Sequence, residues 1–386
     1  MTPFDFSLPT RIVFGAGVLD RLGELARSLP GVERVLVVSD PGVVAAGHTP
    51  RGIDALHDAR LETVLFDGVG ENPTTEHVEA GLAVAREVRP DCIVGLGGGS
   101  SMDCAKGINF LYSCGGRMQD YWGVGKATAE LLPMIAAPTT AGTGSETQSF
   151  ALISDAQTHV KMACGDPPAA FRVALLDPEL TLTQPARVAG LTGVDAIAHA
   201  VETAVTTRRS SISTAFSRQA WRYLVRGFPA VLNSPDALPG RELMQLGACF
   251  SGLAIANSML GAAHALANPL TANYGIVHGE AVGLMLPHVV RHNARCDRQA
   301  RMAYRYLLAV AGDAGGADLV DPGEALANFL TQLAGQGGLA TRLAACGVEA
   351  DRLPELADQA AKQWTVQFNP VAMAKDDLQR VYEQAF

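Results

Sequence analysis

Apolar and polar residues alternate in two textures along the chain. In the first half, short β-branched runs are separated by amphipathic stretches. Arg34–Asp40 is a buried-strand pattern ending in an acid, Leu61–Phe66 is a weaker run, and Asp91–Leu96, Pro133–Pro138 and Val173–Leu176 follow. Between them, Glu76–Val88 places Val78, Leu82, Ala85 and Val88 on one helical face. Strands that alternate with helices predict a parallel sheet covered by helices. After about Pro185, β-branched runs become rare and Ala and Leu dominate, as in Gly240–Leu266 and Leu343–Lys362, which read as helical. The pattern predicts an α/β domain over 1–185 and an all-α domain over 186–386.

The length of 386 residues suits two domains. Thirty Lys and Arg against 39 Asp and Glu give a net charge of −9. No basic cluster stands out, which excludes nucleic acid as the expected partner. The seven cysteines form no CxxC pair, so neither a disulfide framework nor a cysteine zinc site is indicated. No basic segment leads into an apolar run near Met1, and no apolar stretch nears the roughly 18 residues that span a bilayer. The expectation is a soluble cytoplasmic protein with no membrane partner.

Candidate chemistry sits in three places. Gly95-Leu96-Gly97-Gly98-Gly99-Ser100 follows a strand and leads into a helix. Such a turn lets backbone N–H groups approach an anion, and the helix N-terminus adds partial positive charge; read alone, it is equally a tight strand-to-helix turn. A second loop, Pro138-Thr139-Thr140-Ala141-Gly142-Thr143-Gly144-Ser145-Glu146, gathers hydroxyls suited to ribose and phosphate. Asp40, at another strand end, is placed to accept from a ribose diol and to repel a 2′-phosphate, or is only a turn residue. Third, Asp195 and His199 are four apart, on one helical face. His264 and His278 lie further on among apolar residues, with Pro269 and Gly275 between them, so His264 is expected to end one helix and His278 to begin another. One carboxylate and three imidazoles suit Fe²⁺ or Zn²⁺, although each histidine taken singly reads as a hydrogen-bonded or surface residue.

Together these pieces resemble the iron-containing (group III) alcohol dehydrogenase family, related to glycerol dehydrogenase and dehydroquinate synthase. The resemblance runs from Pro9-Thr10-Arg11-Ile12-Val13-Phe14-Gly15-Ala16-Gly17 through Asn72-Pro73, both glycine-bearing loops, Asp177-Pro178, and Asp195-Ala196 with His199-Ala200 and Glu202, to Leu286-Pro287-His288. It implies the dehydroquinate synthase-like fold, a dinucleotide-binding α/β domain followed by a helical metal-binding domain. It implies Asp195, His199, His264 and His278 as metal ligands, acting in catalysis through iron, with zinc as the alternative metal. It implies NAD whose pyrophosphate is cradled by Gly98, Gly99 and Ser100, with Asp103 nearby, Thr139, Thr140, Thr143 and Ser145 lining the groove, Lys161 near the nicotinamide ribose, and Asp40 favouring NAD over NADP. The activity implied is hydride transfer between nicotinamide and a small alcohol or aldehyde, in a homodimer or larger homo-oligomer. Reductases for maleylacetate or phosphonoaldehydes, a hydroxyacid-oxoacid transhydrogenase, and a non-redox lyase using NAD and a metal share the scaffold. One departure stands out: relatives often carry a second histidine four residues after the third ligand, a position held here by Asn268, which cannot titrate.

Overall fold

Apolar runs that alternate between two buried faces dictate the first unit, residues Leu8–Gln184. The computed structural model describes residues 3–312 and 321–386. Nine strands occur in this unit: β1 (Arg11–Phe14), β2 (Arg34–Val38), β3 (Glu62–Phe66), β4 (Cys92–Gly97), β5 (Gly123–Val124), β6 (Met134–Pro138), β7 (Phe150–Ser154), β8 (Lys161–Gly165) and β9 (Val173–Leu176). Six of them form one sheet in the order β1-β9-β6-β4-β2-β3, with every adjacent pair parallel.

The strand period of two divides its side chains between two cores. Leu36, Val38, Ile93, Met134 and Ala136 pack with Val78, Leu82 and Ile108 on one face. Val35, Val37, Val94, Leu96 and Ile135 pack with Leu19, Leu22, Leu25 and Leu56 on the other. A sheet covered on both faces has to be apolar throughout its central strands, which is why those strands read as unbroken hydrophobic runs.

The topology also says where a ligand belongs. The chain runs from β2 outward to β3, then returns to β4 on the opposite side of β2. The strand order therefore reverses between β2 and β4, and open α/β sheets bind ligands at the carboxyl ends of the strands at such a switch point. Asp40 follows β2, and Gly97 ends β4.

A second sheet, β5-β8-β7, pairs β7 and β8 antiparallel and adds two residues of β5. β7 buries alternate positions, β8 buries Met162–Gly165, and β5 contributes no buried residue.

The second unit comprises Pro185–Phe386 together with residues 3–7. The expected first domain, 1–185, therefore differs at its start: Phe6 stacks on Phe216 with ring centroids 5.9 Å apart, which places residues 3–7 with the helices. The described residues of this unit hold no strand. Two of the stretches that read as helical are interrupted by turns. Gly240–Leu266 divides into Leu238–Ser258 and Ala262–Tyr274, which meet at 105°. Met259, at φ 71°, ends the first and forces the turn. Leu343–Lys362 becomes two 3-10 turns and a shorter helix, Leu353–Ala361, with Gly347 left-handed at φ 76° after the first turn. Among the described residues, no single helix is long and apolar enough to cross a membrane.

Candidate active site

Three helices of the second unit bring one carboxylate and three imidazoles together. Ala186–Thr203 carries Asp195 and His199 on one face. His264 is the third residue of Ala262–Tyr274, and His278 is the first of His278–Cys296. His264 thus begins its helix rather than ending one. The break falls upstream, at Met259–Gly261. Pro269 is accommodated inside the helix, and Gly275, at φ 66°, ends it.

Asp195 Oδ1 lies 3.4 Å from His199 Nε2, 3.5 Å from His264 Nε2 and 3.8 Å from His278 Nε2. Two donor atoms bound to one cation at about 2.1 Å with a tetrahedral angle lie about 3.4 Å apart. Asp195, His199 and His264 are all buried, and their ligand atoms lie within 4.8 Å of one another. Asp195 Oδ1 and His264 Nε2 are sealed from solvent without a hydrogen-bond partner. Orphaned buried polar atoms are rare because desolvating them costs free energy, and a cation at their common centre satisfies both. One carboxylate with three imidazoles is a donor set that iron(II) or zinc accepts.

The local field agrees with this. Burial raises the Asp195 carboxyl, but the surrounding imidazoles of His199, His264 and His278 outweigh it and hold the group well below the usual carboxylate range. Burial opposes a charged His264, yet Glu202 and Asp195 reverse that and raise its pKa to about 9. The cluster is a place where positive charge is stabilised.

Glu202 received no role from the sequence, and the structure supplies one. It shares the helix of Asp195 and His199 and is buried. Its Oε2 takes a short hydrogen bond from His264 Nδ1, and its Oε1 accepts from the Ala263 N–H at 2.7 Å. A proton held at Nδ1 leaves the Nε2 lone pair directed at the cluster, the arrangement by which carboxylates orient metal-binding histidines. Its spacing, seven after Asp195 and three after His199, was the available signal.

Glycine permits the approach of the third helix. A Cβ at Gly279 would lie 2.1 Å from the Leu191 carbonyl oxygen. Gly279→Ala is therefore expected to push His278–Cys296 away from Ala186–Thr203, at an overpacking cost of about 1–3 kcal/mol. Thermal melting and iron content both fall if Gly279 is what lets His278 reach Asp195.

The first unit holds the expected cofactor residues. Gly97 has φ 155°, and a Cβ there would meet Ser101 Oγ at 2.4 Å. Gly98 caps the helix Gly99–Cys114, with Ser100 half-buried in its first turn. A Cβ at Gly99 would lie 2.6 Å from Thr143 Cγ2, and one at Gly98 would lie 3.5 Å from Thr140. The Thr139 N–H donates to the Gly97 carbonyl at 3.0 Å, and the Ser145 N–H to Thr143 Oγ1 at 3.3 Å. The hydroxyl loop thus runs directly beside the glycine turn. Asp40 caps the short helix Pro41–Ala45, accepting from the N–H groups of Gly42 and Val43 at 3.0 and 3.1 Å, while Ser101 Oγ donates to its other oxygen at 3.3 Å. Asp103 is buried and accepts from Ser145 Oγ at 2.7 Å. Burial raises its carboxyl pKa against the opposing charges of Lys106 and Lys161. Lys161 opens β8 opposite Ser154. Asn268, one turn beyond His264, donates to Gln363 Oε1 at 2.9 Å.

A parallel sheet with a glycine turn at its switch point, in one chain with an aspartate–trihistidine cluster, defines an oxidoreductase class that comparison with known proteins makes explicit. Residues 9–178 match the family model for iron-containing alcohol dehydrogenase, and residues 189–386 match that of the C-terminal part of the Fe-containing alcohol dehydrogenase family. The chain belongs to the iron-containing alcohol dehydrogenase family, whose activity is the oxidoreduction of alcohols.

Among individual relatives, 1,3-propanediol dehydrogenase of Klebsiella pneumoniae is 31% identical over 385 residues, covering 99% of each chain. A crystal structure of 1,3-propanediol oxidoreductase matches all of both chains with a TM-score of 0.95 and 31% identity. Sulfoacetaldehyde reductase from Bifidobacterium kashiwanohense, solved in complex with NAD⁺, matches with a TM-score of 0.90 and 27% identity, covering 100% of this chain and 99% of that one.

Proposed function

We propose that this chain is an NAD-linked, iron-dependent dehydrogenase of small alcohols that also reduces the corresponding aldehydes. The observation that carries the reading is the convergence of three Nε2 atoms on Asp195 Oδ1 at 3.4 to 3.8 Å, with Asp195 Oδ1 and His264 Nε2 left unpartnered. Asp195, His199, His264 and His278 would hold the iron. Iron there would supply Lewis acidity toward an alcohol or carbonyl oxygen, and NAD the acceptor or donor of hydride.

The chain's own groups do the rest. Glu202 holds the proton on His264 Nδ1 and so keeps Nε2 available. Burial of Asp195, His199 and His264 keeps water from competing for the cluster and strengthens each charge interaction inside it. Gly97, Gly98 and Gly99 let the pyrophosphate approach the backbone N–H groups at the start of Gly99–Cys114. Thr139, Thr140, Thr143, Ser145 and Lys161 offer hydroxyls and a charge to the remainder of the dinucleotide. Asn268 holds no transferable proton where relatives often have histidine, so the hydroxyl proton leaves through another group.

Support for NAD over NADP comes from Asp40, a carboxylate beside the switch point whose charge repels a 2′-phosphate. Asp40→Gly is expected to lower the ratio of kcat/KM with NAD to that with NADP by about tenfold, the equivalent of 1.4 kcal/mol. Glycine suits the test because it replaces a helix cap at a cost of only a few tenths of a kcal/mol. An unchanged ratio removes Asp40 as the discriminator.

The direct test uses protein purified anaerobically, analysed for iron, and mixed with NADH and a panel of aldehydes and oxoacids. One iron per chain and NADH consumption with small aldehydes are expected. Iron-loaded protein that oxidises no NADH with any carbonyl compound overturns the assignment.

A further inference from the structure

The bend that launches the His264 helix is gripped by side chains outside the donor cluster. Met259 to Gly261 separate Leu238–Ser258 from Ala262–Tyr274. Upstream of the bend, Thr206 Oγ1 donates to the Ser258 carbonyl at 2.9 Å. Downstream, Gly261 caps the second helix, and a Cβ there would lie 3.1 Å from Glu202 Oε1 and 3.2 Å from Asn369 Oδ1. The main chain at Gly261 is thus lodged between the carboxylate that orients His264 and an amide from far down the chain.

That amide is fixed in place. Asn369 Nδ2 donates to the Val371 carbonyl and to Asn293 Oδ1, each at 2.8 Å, and Asn369 Oδ1 accepts from Asn293 Nδ2 at 3.1 Å. The second Asn293 hydrogen goes to Tyr304 Oη at 3.4 Å. A carbonyl oxygen only accepts, so Val371 decides which end of the Asn369 amide is nitrogen, and the reciprocal pair then decides Asn293. Asn293, Tyr304 and Asn369 are all buried, and all four amide hydrogens are placed, so neither side chain flips without orphaning a buried donor. The backbone is anchored as well: the Thr207 N–H donates to the Phe368 carbonyl at 2.9 Å. Apolar side chains would fill this space without burying polar groups. What two amides add is a fixed direction. Asn293 lies on the helix that begins with His278, so the pair ties that helix to the bend from which His264 starts.

We propose that Asn369, fixed by Asn293, is a positioning residue for the metal: it backs the Gly261 turn against Glu202 and so sets where His264 Nε2 stands relative to Asp195. The inference rests on the reading that Asp195, His199, His264 and His278 hold iron. Asn369 is itself no ligand. Its loss leaves every donor and Glu202 in place and lets the turn move into the vacated space. Groups that orient ligands from outside typically change metal affinity about 10- to 100-fold.

The test is competition for Fe²⁺ with a chelator of known affinity under anaerobic conditions. Beside it runs the visible absorption of Co²⁺-substituted protein, which reports how the donors surround the ion. Asn369→Ala is expected to weaken iron at least about tenfold and to shift the Co²⁺ bands. A purely structural asparagine would lower the melting temperature of the metal-free protein and leave both readouts of the folded fraction at wild type. Asn293→Ala should weaken iron in the same direction. The double alanine variant should be no weaker than Asn369→Ala, because the two amides act as one unit. Wild-type affinity or unshifted Co²⁺ bands in Asn369→Ala, or losses that multiply in the double variant, overturn the inference. Should Asn369→Ala fail to fold, Asn293→Leu with Asn369→Leu decides. Apolar groups of like shape replace a buried hydrogen-bonded pair at little cost in stability, and weakened iron is still expected because the fixed direction is gone. Wild-type affinity there overturns the inference as well. A wild-type protein that binds neither Fe²⁺ nor Co²⁺ overturns the metal reading, and this inference with it.

Discussion

Replacing His264 with alanine is expected to lower kcat/KM for alcohol oxidation at least about a thousandfold and to leave well under one iron per chain. Lewis-acid stabilisation of developing charge amounts to several kcal/mol, and each 1.36 kcal/mol is a factor of ten, so about 4 kcal/mol accounts for the loss. The variant removes one of four donors. It also strands Glu202, whose Oε2 loses its imidazole while Oε1 stays bound to the Ala263 N–H. A buried carboxylate without its partner then repels the remaining anionic donor, Asp195. Iron analysis under anaerobic conditions and steady-state kinetics check the expectation, with far-UV circular dichroism to show that the helices persist. A His264→Ala protein with full iron and full turnover removes His264 from the ligand set.

Glu202→Gln is the sharper experiment, because it leaves every donor to the cluster in place. Glutamine has nearly the same shape, and its carbonyl can still accept from the Ala263 N–H. Its amide group then offers hydrogens toward His264 Nδ1, where the carboxylate had accepted one. The imidazole must either lose that hydrogen bond or move its proton to Nε2, and a protonated Nε2 cannot bind a metal. Removing such a supporting carboxylate typically weakens metal affinity about 10- to 100-fold. The readout is iron retained against a chelator of known affinity, measured without turnover. Retention equal to wild type defeats the tautomer argument while leaving the four-donor cluster standing.

Legibility in the sequence followed burial. β2, β4, β6 and β9 are covered on both faces, so Val35-Leu36-Val37-Val38 and its counterparts stand out as apolar runs. β7 and β8 break that rule: Phe150-Ala151-Leu152-Ile153 is an apolar run that buries only alternate positions, and Lys161-Met162-Ala163-Cys164-Gly165, buried from Met162 to Gly165, has no β-branched residue to mark it as a strand. β1, an edge strand of four residues with one buried position, is short enough to be silent. The turn at Met259 was invisible for another reason: a non-glycine residue in a left-handed conformation carries no mark in the sequence. The helix therefore read as continuous, and His264 was placed at the wrong end of its element.

The candidate site was legible where spacing along one helix sufficed, as for Asp195 and His199. Glu202 shares that helix, but its role depends on an imidazole 62 positions away. Asn369 is silent for the same reason: the turn it abuts, at Gly261, lies far upstream, and no local pattern reveals it.

The donors to the cluster come from three helices, two of them contributing at their first turn, where a helix frays most readily. A dication shared among them would act as a clasp across segments far apart in the chain. The unfolded polypeptide has no such constellation, so occupancy would favour the native state by RT ln(1 + [L]/Kd), about 4 kcal/mol at a thousandfold excess over Kd. Scarcity of iron in the cell would then cost this protein more than turnover. It would raise the population open to proteases and shorten the lifetime of the polypeptide.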